Sequence, residues 1–342
     1  MNQNNSPNAD NWPTISVVVP IRNEERYIAQ TLGYLLKQDY PAAKLEIIVV
    51  DGCSDDRTVE IVQSIASAEP RVKILNNPKR LSSAARNIGA KAAIGEIVTF
   101  IDGHVFIDND KLLKNTASLM ADNKVAVLSR PQFLDTPENT FFQKAVAVAR
   151  KSAFGHGLDS TIYAAEERHV DPTSSGASYK KEVFAKVGYF DEAFDAAEDV
   201  EFNYRVGKAG FQSFTSLKLG VYYFPRASLK GLFRQLSRYG TGRFRFMRKH
   251  REAISSGALI PALYFIGLAV LIVAAIVKLS LWPVPAIYGG LYVLGNLAAS
   301  LLVSAKHGLG YLFVLPPIYF CIHFGLAYGF IREAVRTIFK SR

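Results

Sequence analysis

Short apolar runs alternate with amphipathic stretches through residue 128 of the chain. The apolar runs are rich in Ile and Val and predict strands at residues 15–20, 46–50, 72–75, 97–101 and 125–128. The runs at 46–50 and 97–101 are apolar enough to be strands buried on both faces. The intervening stretches carry apolar residues at helical spacing and predict helices at residues 24–37, 82–94 and 110–120, with a further helix after residue 55. Strands that alternate with helices predict an α/β fold with a mostly parallel central sheet, covered on both faces.

The remainder of the chain changes character near residue 257. Before this point, residues 180–187 and 198–209 have helical spacing, and residues 229–251 are both basic and aromatic, which favours a helix lying in a membrane interface. Beyond it come three stretches that contain Lys278 as their single charge, and each has about the twenty residues that a spanning helix needs. They lie at residues 258–279, 281–303 and 309–331.

The basic residues that flank these stretches bear on orientation. Arginines and lysines precede the first stretch and follow the last one, and both groups favour the cytoplasmic side. Three full spans would place the two groups on opposite sides, so either one stretch is re-entrant or the charge rule fails here.

Composition narrows the partners and the class of protein. The net charge of +10 favours anionic partners such as phosphates, nucleotides or an anionic lipid surface, and no nucleic-acid signature is present, so no nucleic-acid partner is expected. Cys53 and Cys321 offer neither a disulfide framework nor a zinc spacing. Residues 1–13 are polar and lack the apolar core of a signal peptide, which predicts a disordered tail and a cytoplasmic catalytic domain.

Two aspartates lie where predicted strands end. Asp51 follows the run EIIVV and Asp102 follows EIVTFI. Ligands of open α/β sheets bind at the carboxyl ends of the strands, so two carboxylates there indicate a site for a metal and a nucleotide. Glycine-rich dinucleotide loops and P-loops are absent from the sequence, as are the GxSxG and HExxH motifs, which argues against several common enzyme classes.

Transfer of a sugar from a nucleotide sugar would use such a site. The leaving nucleoside diphosphate develops negative charge, which a divalent cation bridging the diphosphate can stabilise. Carboxylates at the sheet edge can hold the metal and the ribose, and a further carboxylate can take the proton from an attacking hydroxyl.

Six motifs from residue 15 to about residue 245 resemble those of family 2 glycosyltransferases, which are inverting enzymes of the GT-A fold. In chain order they are VVPIRNE at 18–24, VVDGCSDD at 49–56, ARNIG at 85–89, DGH at 102–104, VGYFDE at 187–192 followed by ED at 198–199, and QLSRY at 235–239. The DGH motif together with the apolar C-terminal stretches resembles the succinoglycan-type exopolysaccharide glycosyltransferase branch.

The resemblance implies roles on the donor side of the site. Glu24 and Asp51 would contact the nucleoside, Arg86 would lie near the donor, and Asp102 would bind the ribose and help to place a divalent metal. Taken alone, an aspartate at a strand end is also often a turn or cap residue.

The resemblance also implies an acceptor side. Asp199 would be the catalytic base with Glu198 beside it, while Gln235, Arg238 and Tyr239 would face the diphosphate or the acceptor. Read without the family, Glu198 and Asp199 are an acidic first helical turn favoured by the macrodipole, and Arg238 is a ligand for lipid phosphate.

Two residues depart from the family pattern. His104 replaces the second acid of the DxD metal motif, and its softer imidazole would favour Mn²⁺ over Mg²⁺ or would instead touch the diphosphate. Tyr239 replaces a tryptophan, which would weaken stacking against the acceptor.

The expected protein is therefore a membrane-bound inverting glycosyltransferase at the inner (plasma) membrane. It would move a sugar from a nucleotide sugar, expected to be a UDP-sugar, to a hydroxyl of a lipid-linked saccharide in polysaccharide biosynthesis. The alternatives are a polyprenyl-phosphate sugar synthase and a non-catalytic membrane adaptor. The expected parts are a tail at 1–13, the GT-A domain at 14–228, an interfacial helical segment at 229–257, about three transmembrane helices at 258–331, and a basic cytoplasmic or juxtamembrane tail at 332–342.

Overall fold

The computed structural model describes residues 11–155, 162, 166–174, 176–254 and 256–340. The first ten residues of the expected tail, and the last two of the chain, lie outside this description. Contacts divide the chain into an N-terminal unit, Met1–Thr136 with Thr161–Tyr223, and a C-terminal unit, Pro137–Ser160 with Phe224–Arg342. Residues 137–160, expected in the catalytic domain, thus cluster with the C-terminal helices.

Eleven strands and eleven α-helices make up the described part of the chain. The strands are β1 (Ile15–Ile21), β2 (Leu45–Asp51), β3 (Val72–Asn76), β4 (Ile97–Phe100), β5 (Val105–Phe106), β6 (Val127–Ser129), β7 (Gln132–Phe133), β8 (Arg168–Val170), β9 (Gly176–Lys180), β10 (Ser213–Thr215) and β11 (Val221–Tyr223). The helices are α1 (Ile28–Leu36), α2 (Thr58–Ala68), α3 (Ser82–Ala92), α4 (Leu112–Asp122), α5 (Phe141–Lys151), α6 (Lys181–Val187), α7 (Glu198–Lys208), α8 (Leu229–Lys249), α9 (Ser256–Val277), α10 (Pro283–His307) and α11 (Leu315–Lys340).

All strands belong to the N-terminal unit, and eight of them form one sheet in the order β3-β2-β1-β4-β9-β6-β10-β8. The first four strands of this order are parallel, and β10 is parallel to β6. Strand β9 is antiparallel to both neighbours, and β8 is an antiparallel edge. The predicted α/β class with a mostly parallel sheet is therefore confirmed. Strands β5, β11 and β7 form a second, smaller sheet.

The central strands are apolar on both faces because helices cover both faces. Along β1, Val17 and Val19 join one core, with residues of α1, α2 and α4. Val18 points to the other core, with residues of α3, α6 and α7. This alternation explains why the sequence of β1 reads as an unbroken apolar run. Because β1 pairs in parallel and in register with both β2 and β4, the carboxyl ends of the three strands lie at one edge of the sheet.

Close packing of α3 on β1 makes Gly89 a sensitive position. A Cβ placed on Gly89 would lie 2.2 Å from Cγ1 of Val18, a β-branched residue in a central strand that has little freedom to move. We expect Gly89→Ala to destabilise the protein by about 1–3 kcal/mol through overpacking. Thermal unfolding checks this, with Gly33→Ala on α1 as the control, because nothing lies within 4 Å of a Cβ at Gly33. Equal unfolding midpoints for the two variants would contradict the prediction.

In the C-terminal unit, α8 and α11 approach each other closely through small residues. A Cβ at Gly240 would lie 2.1 Å from the carbonyl oxygen of Leu326, and one at Gly329 would lie 1.9 Å from the carbonyl oxygen of Ser237. Arg245 of α8 also pairs with the buried carboxylate of Glu333 at 2.8 Å. Helix α8 is thus packed along one face, in addition to being basic and aromatic as predicted.

Two helical segments, rather than about three, are long and apolar enough to cross a membrane among the described residues. They are Ser256–Val277 and Leu279–His307, and both leave most of their apolar surface exposed. The third predicted stretch begins with a 3-10 helix at Leu309–Phe313 and continues into α11, which buries one face and includes Arg332, Glu333 and Arg336. The expected basic tail at 332–342 is helical through Lys340, because it continues α11.

Candidate active site

The loops after β1 and β2 are joined around Asp51. Asp51 is buried at the end of β2, opposite Ile21 at the end of β1. Its carboxylate accepts hydrogen bonds from the backbone N–H of Ser54 at 3.1 Å and from the Ser54 hydroxyl at 2.6 Å. The same hydroxyl oxygen accepts from the backbone N–H of Asn23 at 2.8 Å. Asp51 therefore organises the edge of the sheet, as a turn residue does, whatever it binds in addition.

Glu24 and His104 meet at this edge. The Nδ1 atom of His104 lies 2.8 Å from Oε1 of Glu24, and it is the donor because a carboxylate only accepts. The backbone of Gly103, next to His104, packs closely on Ile21 at the end of β1. A Cβ on Gly103 would lie 2.6 Å from Cγ2 of Ile21. In a neutral ring donating from Nδ1, the lone pair is on Nε2. The sequence did not predict that these two site residues would be partners.

Arg86 is the centre of the charged cluster. It projects from α3, its Nη2 lies 3.2 Å from Oδ1 of Asp102, and its Nε lies 3.5 Å from Oε1 of Glu198. The guanidinium also lies over the rings of Phe100 and Phe190, at 5.2 and 5.9 Å from their centroids. Burial by itself would lower the pKa of Arg86, but the surrounding carboxylates raise it well above its ordinary value.

The two acids that begin α7 have different surroundings. Glu198 is buried, whereas Asp199 is exposed. Burial, and then the charge of Asp199, raise the pKa of Glu198, and the charge of Arg86 opposes this shift. Just before them, Ala197 has a φ of 61°, a left-handed conformation that is uncommon for a residue with a Cβ. The chain thus turns sharply to present Asp199 to solvent and Glu198 to Arg86.

Glu201, the third acid in this turn, serves the fold. It is fully buried and receives two hydrogen bonds from Nε of Arg205, at 2.9 and 3.1 Å. Arg205 also donates to the backbone carbonyls of Val187 and Tyr189.

Asn87 ties α3 to the VGYFDE motif. Its Nδ2 donates to the carbonyl of Phe190 at 2.9 Å and to Glu192 at 3.0 Å, and its Oδ1 accepts from the N–H of Phe190 at 2.9 Å. Since Phe190 contacts Arg86, these bonds also hold the aromatic surface beneath the guanidinium.

The protein groups at this edge fit a metal that takes most of its ligands from a substrate. No group of three or more His, Cys, Asp or Glu side chains suited to a metal occurs in the described part of the chain. Asp102 is 32% exposed, and the hydrogen bond that Nδ1 of His104 donates to Glu24 is the kind of carboxylate contact that orients a metal-binding histidine. One carboxylate and one imidazole match a cation held chiefly by diphosphate oxygens.

Gln235, Arg238 and Tyr239 lie on α8 in the C-terminal unit. The Nε2 of Gln235 donates to the Tyr239 hydroxyl at 3.2 Å, one helical turn away. Their suggested roles toward a diphosphate or an acceptor stay predictions. The sequence-based interpretation missed Arg130, a buried arginine that donates to the backbone carbonyl of Phe100 at 2.6 Å. Its signal was a charged residue directly after the apolar run that forms β6.

Comparison with known proteins decides the family. The family model "Glycosyl transferase family 2" matches residues 16–188. The chain is 32% identical, over 82% of its length and 86% of the relative, to the succinoglycan biosynthesis protein ExoA of Rhizobium meliloti. The chain is a family 2 glycosyltransferase. The match to the family model ends before Glu198 and Asp199, so the assignment does not depend on them.

Other relatives support this glycosyltransferase assignment. A dolichyl N-acetyl-α-D-glucosaminyl phosphate 3-β-D-2,3-diacetamido-2,3-dideoxy-β-D-glucuronosyltransferase of Methanococcus voltae is 25% identical over 94% of this chain and 97% of that protein. The solved structure of the Pyrobaculum calidifontis mannosyltransferase PcManGT, in complex with GDP-Man and Mn²⁺, matches with a TM-score of 0.60 at 20% identity. The match covers 96% of this chain and 89% of the mannosyltransferase chain. The predicted GT-A fold is therefore confirmed for this glycosyltransferase.

Proposed function

We propose that this glycosyltransferase is an inverting enzyme that moves a sugar from a nucleotide sugar to a hydroxyl of a membrane lipid-linked saccharide in polysaccharide biosynthesis. The observation that carries the proposal is the charged cluster around Arg86. Arg86 pairs with Asp102 at the edge of the sheet and with Glu198, and Glu198 is the neighbour of the exposed Asp199. The name of the Rhizobium relative refers to a polysaccharide, and that of the Methanococcus relative to a dolichyl phosphate sugar.

The proposed reaction is a single displacement. The acceptor oxygen forms a bond to the anomeric carbon, and the bond from that carbon to the phosphate oxygen breaks with its electron pair going to the nucleoside diphosphate. Asp199 takes the proton of the attacking hydroxyl. Arg86 keeps Asp102 and Glu198 in place and supplies positive charge on the side where the diphosphate develops negative charge.

Asp102 and His104 would hold a divalent metal, with Mn²⁺ favoured over Mg²⁺ by the imidazole. Such a metal supplies neutralisation of charge on the leaving diphosphate. Glu24 accepts a hydrogen bond from Nδ1 of His104 and so orients the imidazole ring. Asp51, with Ser54, shapes the adjacent pocket edge, where it would contact the nucleoside of a UDP-sugar.

Anchoring at the inner (plasma) membrane, with the catalytic unit in the cytoplasm, completes the proposal. The two apolar segments Ser256–Val277 and Leu279–His307 would span the bilayer, and two spans place both basic flanks on one side. This resolves the conflict that three spans created. Exposed basic residues of α8 such as Arg234 and Arg248 would then face anionic lipid head groups.

The proposal is tested by incubating membranes that contain the protein with radiolabelled UDP- and GDP-sugars and Mn²⁺, then extracting the lipids. We expect label from one nucleotide sugar to enter the lipid fraction, and to be released from it as part of a saccharide. Label that never enters lipid, but appears on a soluble acceptor, would contradict the lipid-linked acceptor. The matched control is membranes that contain Asp199→Asn.

Replacement of Asp102 tests the metal role. We expect Asp102→Ala to weaken Mn²⁺-dependent binding of a nucleoside diphosphate about 10- to 100-fold, because a ligand of the metal and a partner of Arg86 are both lost. Calorimetry with UDP and GDP, with and without Mn²⁺, measures this. Asp122→Ala, which removes an exposed acid at the end of α4, is the control and should bind like wild type. Unchanged Mn²⁺-dependent binding in Asp102→Ala would exclude the role.

A further inference from the structure

Arg130 is a buried cation that the reaction described above does not use. It follows β6 directly, and only 4% of the residue is exposed. Removing a guanidinium from water costs several kcal/mol unless charge or hydrogen bonding compensates it. A buried arginine in the sheet therefore needs a reason.

Its bonds go to neutral groups. Nη1 donates to the carbonyl oxygen of Phe100 at 2.6 Å, and Nη2 donates to Oγ1 of Thr99 at 2.8 Å. Thr99 is held in turn by the hydroxyl of Ser178 on β9, at 2.6 Å. Within the described ranges, Nε of Arg130 has no hydrogen-bond partner and no carboxylate forms an ion pair with the guanidinium.

These bonds converge on the end of β4, from which Asp102 projects. Thr99 and Phe100 are the last two residues of β4, and Asp102 follows two positions later. Phe100 is shared by two arginines, because its ring lies under Arg86 and its carbonyl oxygen accepts from Arg130. Asp102 is also the carboxylate whose charge acts on both arginines.

We propose that Arg130 is a positioning residue for Asp102. Arg130 holds the end of β4 in place, and it adds a second buried positive charge to the side that receives the donor diphosphate. The inference rests on the proposed donor and metal role of Asp102. An arginine suits the position because its planar fork spans two neighbouring acceptors on one strand and its charge is permanent.

The test compares Arg130→Met and Arg130→Lys with wild type in detergent-solubilised full-length protein. Calorimetry measures the Kd of UDP and of GDP with Mn²⁺, and transfer assays separate KM from kcat. We expect Arg130→Met to weaken Mn²⁺-dependent nucleotide binding about 10- to 100-fold, as loss of a residue that orients a ligand does, and to raise KM for the donor more than it lowers kcat. Arg130→Lys should recover part of the loss, since it keeps the charge and one donor.

Glu46→Gln is the matched control. Glu46 is also a buried charged residue, 7% exposed, and it bonds Ser16 and Lys73, but it lies at the opposite end of the sheet strands, near the start of β2. We expect this variant to unfold at a lower temperature while its nucleotide Kd stays at the wild-type value. A purely structural Arg130 would behave in the same way as this control.

Each outcome is decisive. Wild-type Kd in folded Arg130→Met would overturn the positioning role while leaving the proposed function intact. If Arg130→Met yields no folded protein, the Kd of Arg130→Lys decides, because it loses one of the two bonds to β4 and should bind several-fold more weakly; a wild-type value there would overturn the proposal. If wild type binds neither nucleotide with Mn²⁺, the proposed function itself fails, and the role of Arg130 fails with it.

Discussion

Asp199→Asn should abolish sugar transfer while leaving nucleotide binding close to the wild-type value. The substitution keeps the shape of an exposed side chain at the start of α7 but removes its ability to accept a proton. General base catalysis typically contributes 10²- to 10⁴-fold, so we expect kcat to fall by roughly that factor. An assay of sugar transfer to a lipid-linked saccharide measures kcat. Calorimetry with UDP or GDP and Mn²⁺ measures the affinity for the nucleotide.

Glu182→Gln is the appropriate control for this variant. Glu182 is an exposed acid in the first turn of α6, so its replacement costs a similar favourable interaction with a helix dipole. It should retain full transfer activity. If Asp199→Asn loses nucleotide binding together with transfer, the base role is wrong. If it stays active toward a lipid phosphate, the enzyme is instead a polyprenyl-phosphate sugar synthase, because an ionised phosphate needs no base.

The sequence predicts well those elements whose environment is uniform along their length. Strands β2, β1 and β4 lie side by side and are covered by helices on both faces, so their sequences are mostly apolar runs. Strands of two or three residues, such as β5, β7 and β11, leave too short a pattern to recognise, because they form only through pairing with distant segments. The antiparallel insertion of β9 between β4 and β6 is non-local for the same reason.

Helix α5 was missed although its start has a local signal. Thr140 accepts a bond from the backbone of Gln143, and the Gln143 side chain bonds back to the N–H of Thr140. This reciprocal pair is a capping box, which is readable as Thr-x-x-Gln in the sequence. The number of spanning helices stays a prediction, since an apolar stretch in α11 looks the same in sequence whether lipid or α8 covers it.

The site shows the same division between local and non-local information. Strand-end aspartates are visible in sequence, and the structure places Asp51 and Asp102 at one edge of the sheet. Arg86 lies between Asp102 and Glu198 and pairs with both carboxylates. That Glu24 holds His104 depends on β1 and β4 being neighbours, which the sequence does not state. Arg130 was passed over because a buried cation bonded to neutral groups has no recognisable partner in the sequence.

Arg86→Met should cause a large loss of stability and of nucleotide binding together. The guanidinium is 14% exposed and neutralises two carboxylates, Asp102 and Glu198, of which Glu198 is 10% exposed. Removing one partner of a buried ion pair typically costs 3–5 kcal/mol, and the partial exposure of Asp102 leads us to expect about 3 kcal/mol. For the N-terminal unit, which contains Arg86, this loss of stability corresponds to a fall of roughly 6 to 12 °C in the unfolding midpoint.

Loss of the guanidinium should also make stability depend on pH in a defined direction. Burial and the charge of Asp199 already raise the pKa of Glu198, and without Arg86 it should rise further. A carboxyl whose pKa is higher in the folded than in the unfolded protein stabilises the fold below its unfolded pKa, and this stability is lost as the pH rises through the folded pKa. Arg86→Met should therefore be impaired more at pH 8 than at pH 5, when compared with wild type by thermal unfolding.

Three further variants make this result interpretable. Arg57→Met, which breaks an exposed pair with Glu60 on α2, should change neither stability nor nucleotide binding measurably. Arg86→Lys keeps the charge without the planar fork, and should recover stability better than nucleotide affinity. Adding Glu198→Gln to Arg86→Met removes the uncompensated buried carboxylate and should abolish most of the pH dependence. If Arg86→Met instead lost the same stability at pH 5 and pH 8, the guanidinium would act through packing on Phe100 and Phe190 rather than through charge, and the electrostatic account of this cluster would be wrong.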